Sequence, residues 1–158
     1  MKITNLKTKE NLEIIGPKLI TPNLFEDERG FFFESWNKAL FEKNVNTDVH
    51  FVQDNHSKSK YGVLRGLHYQ LEPYSQGKLV RCIKGEIFDV IVDLRNDSKT
   101  FSKWSAVYLS EKNFKMLWIP SGFAHGFLTM SQYAEITYKT TNYWKKEFER
   151  SILWNDIK

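Results

Sequence analysis

His68 lies in the stretch Gly62-Val63-Leu64-Arg65-Gly66-Leu67-His68-Tyr69-Gln70, which Gln76-Gly77-Lys78 follows closely. An imidazole titrates near neutral pH, and two cations beside it can stabilise negative charge on a substrate oxygen, so Arg65, His68 and Lys78 together suit proton transfer. On a strand, residues two apart share a face. His68 then groups with Gly66 and Gln70, while Arg65 sits across the pleat unless a bulge turns it. A half-buried strand can equally hold an imidazole that is merely satisfied by hydrogen bonds, and this stretch alone leaves both readings open.

A second group is Pro120-Ser121-Gly122-Phe123-Ala124-His125-Gly126-Phe127. Proline and glycine set a turn, and His125 opens the next strand, where its ring can be aimed into a barrel mouth. The P-x-G-x-x-H pattern resembles the second motif of the cupin double-stranded β-helix. Metal-binding cupins carry H-x-H in the first motif, whereas this chain has His68-Tyr69-Gln70, and His50, His56, His68 and His125 show no other close pairing. No metal site is expected, which leaves the histidines free for acid/base work. In Ala134-Glu135-Ile136-Thr137-Tyr138-Lys139-Thr140, alternation puts Tyr138 on one face with Ile136 and Thr140. There a phenol across a small barrel from His68 could exchange a proton on the other side of a ligand, although tyrosine is common in strands and, taken alone, packing is the better explanation. The stretches 27–36 and 51–57 add Arg29 for a phosphate, Gln53 and Asn55 for a base edge, and a run of three phenylalanines for stacking. A solvated charge pair and a buried aromatic edge are the plainer alternatives.

The elements that must position these residues read as strands. Candidate strands run over 12–15, 63–69, 79–83, 87–94, 104–109, 114–119, 123–130 and 134–140, each ended by turn residues at the spacing of an antiparallel sandwich or barrel. Asp89 and Asp93 interrupt an otherwise apolar strand. One helix is predicted over about 36–43, with Ser35 as its cap. The N-terminal third is looser in pattern and is expected to form an arm that docks on the barrel or on a second subunit. At 158 residues, with 41% hydrophobic and 27% charged side chains, the chain is expected to be one domain, 1–158, with a sizeable core. A net charge of +4 without a basic run favours a small anionic ligand over nucleic acid. Cys82 is the only cysteine, which rules out an intrachain disulfide. The N-terminus has no apolar signal core, and no apolar run approaches membrane-spanning length, so the cytoplasm is the expected compartment.

Taken together, the stretches resemble the dTDP-4-dehydrorhamnose 3,5-epimerase family. The motifs that carry the resemblance are D-x-R-G-F-F-x-E at 27–34, Q-x-N-x-S at 53–57, G-V-L-R-G-L-H-Y-Q at 62–70 and Q-G-K-L-V at 76–80. They continue with F-D-V-x-V-D at 88–93, G-F-A-H-G-F at 122–127, A-E-x-x-Y-K at 134–139 and W-N-D at 154–156. The resemblance implies a cupin-type jelly roll, all-β with an N-terminal arm and one short helix, acting as a cytoplasmic homodimer without metal or other cofactor. It implies an isomerase of rhamnose biosynthesis that inverts C3 and C5 of dTDP-4-dehydro-6-deoxy-glucose. By analogy His68 is the base, Lys78 and Arg65 hold the enolate oxygen, and Tyr138 returns a proton from the opposite face. His125 and Asp89 line the same pocket. Arg29, Phe32, Glu34, Gln53, Asn55 and Glu149 are implied to contact nucleotide or phosphates, some from the partner subunit, with Tyr143 or Trp144 stacking on thymine.

The family pattern continues past W-N-D into a segment whose Asp orients the catalytic His, and this sequence ends at Lys158. The expectation is a chain that is impaired, that uses another acid such as Asp89, or that keeps the ligand site without catalysis. Inversion at a single centre of a related nucleotide-linked keto sugar, and ligand binding without turnover, are the alternatives that the sequence leaves open. A metal-dependent oxygenase ranks last.

Overall fold

The computed structural model describes residues 1–45 and 48–156. Its strands in chain order are β1 Lys2–Lys7, β2 Glu13–Thr21, β3 Phe25–Asp27, β4 Gly30–Phe32, β5 Gln53–Lys60, β6 Leu64–Gln70 and β7 Lys78–Lys84. They continue as β8 Glu86–Asp93, β9 Trp104–Ser110, β10 Met116–Ile119, β11 Phe123–Thr129, β12 Tyr133–Thr140 and β13 Glu149–Ser151. A six-stranded sheet, β1-β2-β10-β7-β12-β5, faces a five-stranded sheet, β13-β6-β11-β8-β9, and β3 and β4 form a separate hairpin. Among the described residues the two sheets do not close into one hydrogen-bonded ring, so the expected barrel is a double-sheet jelly roll.

The core between the sheets follows from alternation. On β8, Ile87, Asp89, Ile91 and Asp93 point inward and are buried, while the residues between them are only partly so. Val80, Leu117, Ile119, Phe123, Phe127 and Ile136 join them. The strands β7 and β10 are buried on both faces. Leu79, Met116 and Trp118 face the other way into a second cluster with Ile20, Phe41 and Val49, capped by Trp36 and Phe51. Four of these rings, Trp36, Phe41, Phe51 and Trp118, meet edge-on or tilted at centroid distances of 4.8 to 6.2 Å. That explains why Met116-Leu117-Trp118-Ile119 is an unbroken apolar run: each side of the strand meets a core.

Several expectations are corrected. The helix, α1 Lys38–Val45, starts two residues later than predicted. Its cap is Asn37 rather than Ser35, because the Leu40 backbone N–H donates to Asn37 Oδ1 at 3.1 Å. Gly16-Pro17 does not end a strand. It sits within β2, at a bulge where the register with β1 jumps from Asn5–Lys18 to Leu6–Ile14. Within the N-terminal third, β1, β2 and β5 belong to the six-stranded layer, while β3 and β4 form a separate hairpin on which Phe25 and Phe32 are exposed and the Phe31 ring meets Phe114 at 4.8 Å. No helix among the described residues is long and apolar enough to cross a membrane.

At the end of β8, Asp93 is fully buried and organises the turn that follows. It accepts from the Arg95 backbone N–H and guanidinium, from Ser98 Oγ and from Thr100 Oγ1, at 2.6 to 3.0 Å. Burial alone would raise its pKa, but these hydrogen bonds outweigh burial and bring it down to about 2. A carboxyl depressed in the folded state adds stability above its unfolded pKa and loses it as pH falls towards the folded value. Asp93→Asn should therefore cost on the order of 2 kcal/mol at pH 7, a drop of roughly 4–8 °C in Tm. Thermal melts should show the gap to wild type closing between about pH 4 and pH 2. A gap that stays constant over that range would contradict the assignment.

Candidate active site

The site begins with a bulge. β6 pairs with β11 through His68–His125 and then Arg65–Phe127, so two residues of β6, Gly66 and Leu67, oppose the single Gly126. The extra residue restores Arg65 to the face that carries His68, which is the turn the sequence left conditional. Only glycines allow it. A Cβ on Gly66, whose φ is +122°, would lie 2.5 Å from Gly126 Cα, and one on Gly126 would lie 2.6 Å from the Arg65 carbonyl oxygen. From this position Arg65 Nε donates to Ser59 Oγ on β5 at 2.8 Å, crossing from one sheet to the other.

The opposite wall is the six-stranded sheet. Lys78 opens β7 beside the inner-core residue Ile119, and Tyr138 on β12 pairs with Val80 and Asn55 and packs against the inner core. On β5, Gln53, Asn55, Ser57 and Ser59 alternate inward, and exposed Asp54, His56, Lys58 and Lys60 alternate outward. His68 and Tyr138 thus come from different sheets and look into the same space.

Electrostatics couple these groups. His68 keeps an open path to solvent, yet partial burial of its ring lowers its pKa; Glu149 opposes that shift, while Lys78, His125 and Arg65 reinforce it. Burial brings Lys78 down to about 8 against the pull of Glu149 and Asp89. Burial also raises the Tyr138 phenol, Arg65 opposes this and Glu149 adds to it, so the phenol keeps its proton at neutral pH. Asp89 is fully buried. Its Oδ1 pairs with His125 Nε2 at 2.9 Å, and its Oδ2 has no hydrogen-bond partner among the described residues. Asp89 is therefore bonded to His125 and not to His68; the carboxylate whose field reaches His68 is Glu149, on β13, which pairs with β6 through Glu149–Gln70 and Ser151–His68.

Glu149 also ends a hydrogen-bonded chain. Its Oε2 accepts from the Trp144 indole at 2.6 Å, the Trp144 backbone N–H donates to Gln53 Oε1 at 3.2 Å, and Gln53 Nε2 donates to Asn55 Oδ1 at 2.8 Å. Charge and hydrogen bonding therefore link His68, Arg65, Lys78, Tyr138 and Glu149 to one another, Asp89 to His125 and Lys78, and Gln53, Asn55 and Trp144 to Glu149. Tyr143 is exposed nearby. Three expected residues are elsewhere in this chain. Arg29 pairs with Asp27 on the exposed hairpin, Phe32 is exposed beside it, and Glu34 lines a recess with Met1, Trp36 and Phe41 on the outer side of the six-stranded sheet. Sequence reading missed Ser59 as the anchor of Arg65, and missed that one glutamate influences three proton-bearing groups. Both depend on pairings between strands far apart in sequence. Among the described residues, no three His, Cys, Asp or Glu side chains gather to hold a metal ion.

Chemically, a neutral imidazole on one sheet, a protonated phenol on the other and cations that act on them are groups able to remove a proton from one face of a ring and return one to the opposite face. A family profile described as dTDP-4-dehydrorhamnose 3,5-epimerase matches residues 11–158. A dTDP-4-dehydrorhamnose 3,5-epimerase of Shigella flexneri is 60% identical over 144 residues, covering 91% of this chain and 80% of that protein. The crystal structure of such an epimerase from Elizabethkingia anophelis superposes with a TM-score of 0.90 at 45% identity, over 99% of this chain and 82% of the other. A Legionella pneumophila enzyme in complex with dTDP-4-keto-L-rhamnose superposes at 0.89 with 46% identity, over 98% and 80%. These likenesses agree: the chain belongs to the dTDP-4-dehydrorhamnose 3,5-epimerase family and has its cupin jelly-roll fold.

Proposed function

We propose that this chain inverts C3 and C5 of dTDP-4-dehydro-6-deoxy-glucose to give dTDP-4-dehydro-L-rhamnose. What supports the reading is that His68 and Tyr138 belong to different sheets and that both feel the charges of Arg65 and Glu149. A 4-ketone acidifies the hydrogens on both neighbouring carbons. His68 removes the proton from one carbon, the electron pair of the broken C–H bond moves onto the ketone oxygen, and Lys78 and Arg65 offset the charge of the enolate. Donors preorganised around a developing oxyanion contribute roughly 3 kcal/mol each. Tyr138 then donates its proton to the carbon from the other face, the C=O bond re-forms, and solvent restores both side chains. Asp89 holds His125 at the pocket wall. The Glu149–Trp144–Gln53–Asn55 chain offers a flat indole and amide groups to the nucleotide.

The positions of Arg29, Phe32 and Glu34 favour a homodimer. A hairpin that exposes a guanidinium and the rings of Phe25 and Phe32 serves a site in a second copy better than its own. Sedimentation at micromolar concentration is expected to give a dimer, and a fully active monomer would exclude shared sites.

In heavy water the wild type should acquire deuterium at C3 and C5. His68→Ala should slow exchange at both by roughly 10²–10⁴-fold. Tyr138→Phe should still exchange on the His68 side and lose inversion. Equal exchange by wild type and His68→Ala would disprove the base assignment, and label at one carbon alone would mark a single-centre epimerase.

The pH profile has a defined sign. His68 must be neutral to act as a base, so kcat/KM should rise with pH to a plateau reached from below 6.5. Lys78 must be charged to hold the enolate, so activity should fall as pH passes about 8. In Lys78→Arg, which stays protonated, that alkaline limb should disappear. A wild-type limb near an ordinary lysine's value of roughly 10.4 would remove Lys78 from this role.

A further inference from the structure

We propose that Gln70 is a positioning residue that aims Trp144, and Glu149 with it, at the nucleotide; the inference rests on the nucleotide-sugar reading above. Gln70 ends β6, two residues beyond His68, and is only 7% exposed. Its Nε2 donates to the Tyr74 carbonyl at 2.6 Å and to the Tyr143 carbonyl at 3.1 Å, and its Oε1 accepts from the Lys145 backbone N–H at 2.6 Å. A side-chain amide has two N–H donors, and both are used. The reversed amide would set its oxygen against two carbonyls, so the orientation is forced.

Two of the three bonds go to the residues on either side of Trp144. The carbonyl before it and the N–H after it are both pinned by one buried side chain. Trp144 then spends its own N–H on Gln53 and its indole N–H on Glu149, and the residue stays 52% exposed. A large aromatic side chain fixed on both sides and still open to solvent is a platform for a flat ligand. The backbone of Gln70 is meanwhile the ladder partner of Glu149. One residue thus fixes the indole through its side chain and registers the carboxylate through its main chain.

The test is calorimetric titration of the full chain with dTDP, alongside exchange kinetics on the keto sugar. Gln70→Met keeps the length and bulk of the side chain and removes all three bonds. It should weaken dTDP binding and raise KM by about tenfold, while kcat falls by less than about threefold. In a Trp144→Ala background the same substitution should add less than about twofold, because the group it positions is already gone. Binding within about twofold of wild type in Gln70→Met, or losses that multiply in the double variant, would overturn the proposal. If the Met variant does not fold, the isosteric Gln70→Glu, which keeps the acceptor for Lys145 and loses both donors to the Tyr74 and Tyr143 carbonyls, carries the same expectation. A wild type that does not bind dTDP would instead overturn the nucleotide reading, and this inference with it.

Discussion

The contact between Gly66 and Gly126 governs on which face of β6 Arg65 stands relative to His68. Two backbones approach so closely there that a single methyl group on either would collide with main-chain atoms. The space saved is used for one extra residue in β6. Without it, strict alternation would send Arg65 to the outer surface while His68 stayed inside, and the imidazole would lose a cation beside it. With it, the Arg65 guanidinium spans the gap between the sheets to Ser59. The catalytic geometry is therefore a product of backbone packing before it is a product of side-chain chemistry.

Around that geometry, charges are arranged against one another in a partly dry cavity. Burial strips water from the lysine, the imidazole and the phenol, and each responds by favouring its neutral form. For the imidazole and the phenol, the neutral form is the one that proton removal and donation need. For the lysine it is the opposite, and two carboxylates, Glu149 and Asp89, work to retain its charge. Glu149 comes from a three-residue strand at the sheet edge, so the protonation balance of the site depends on one of its shortest elements.

Much of this was legible from residue order alone. The strands from β6 to β12 were read to within about two residues, because alternating apolar positions and glycine turns mark them. β5 was invisible for a physical reason: Gln53-Asp54-Asn55-His56-Ser57-Lys58-Ser59-Lys60 contains no apolar side chain. Its inner face lines a polar cavity, its outer face meets solvent, and its place is held by the ladder to β12. His68, Lys78, His125 and Tyr138 stood out through motif spacing. The fit of Asp89 to His125, the side taken by Arg65 and the reach of Glu149 required knowing which strands are neighbours, and local pattern does not contain that.

The contrast between β5 and β7 bears on how such a molecule can diversify. β7 is a partition wall, with Val80 in one core and Leu79 in another, so an altered side chain there disturbs packing on whichever side it faces. β5 is a border strand with a single neighbour and a polar lining that touches the cavity on every second residue. Changes in ligand preference can accumulate along that border with little loss of folding energy, while the wall keeps Lys78 and Tyr138 in register. Packing constraint is thus concentrated on β7, and on β5 it is confined to residues such as Ser59 that hold a neighbour in place.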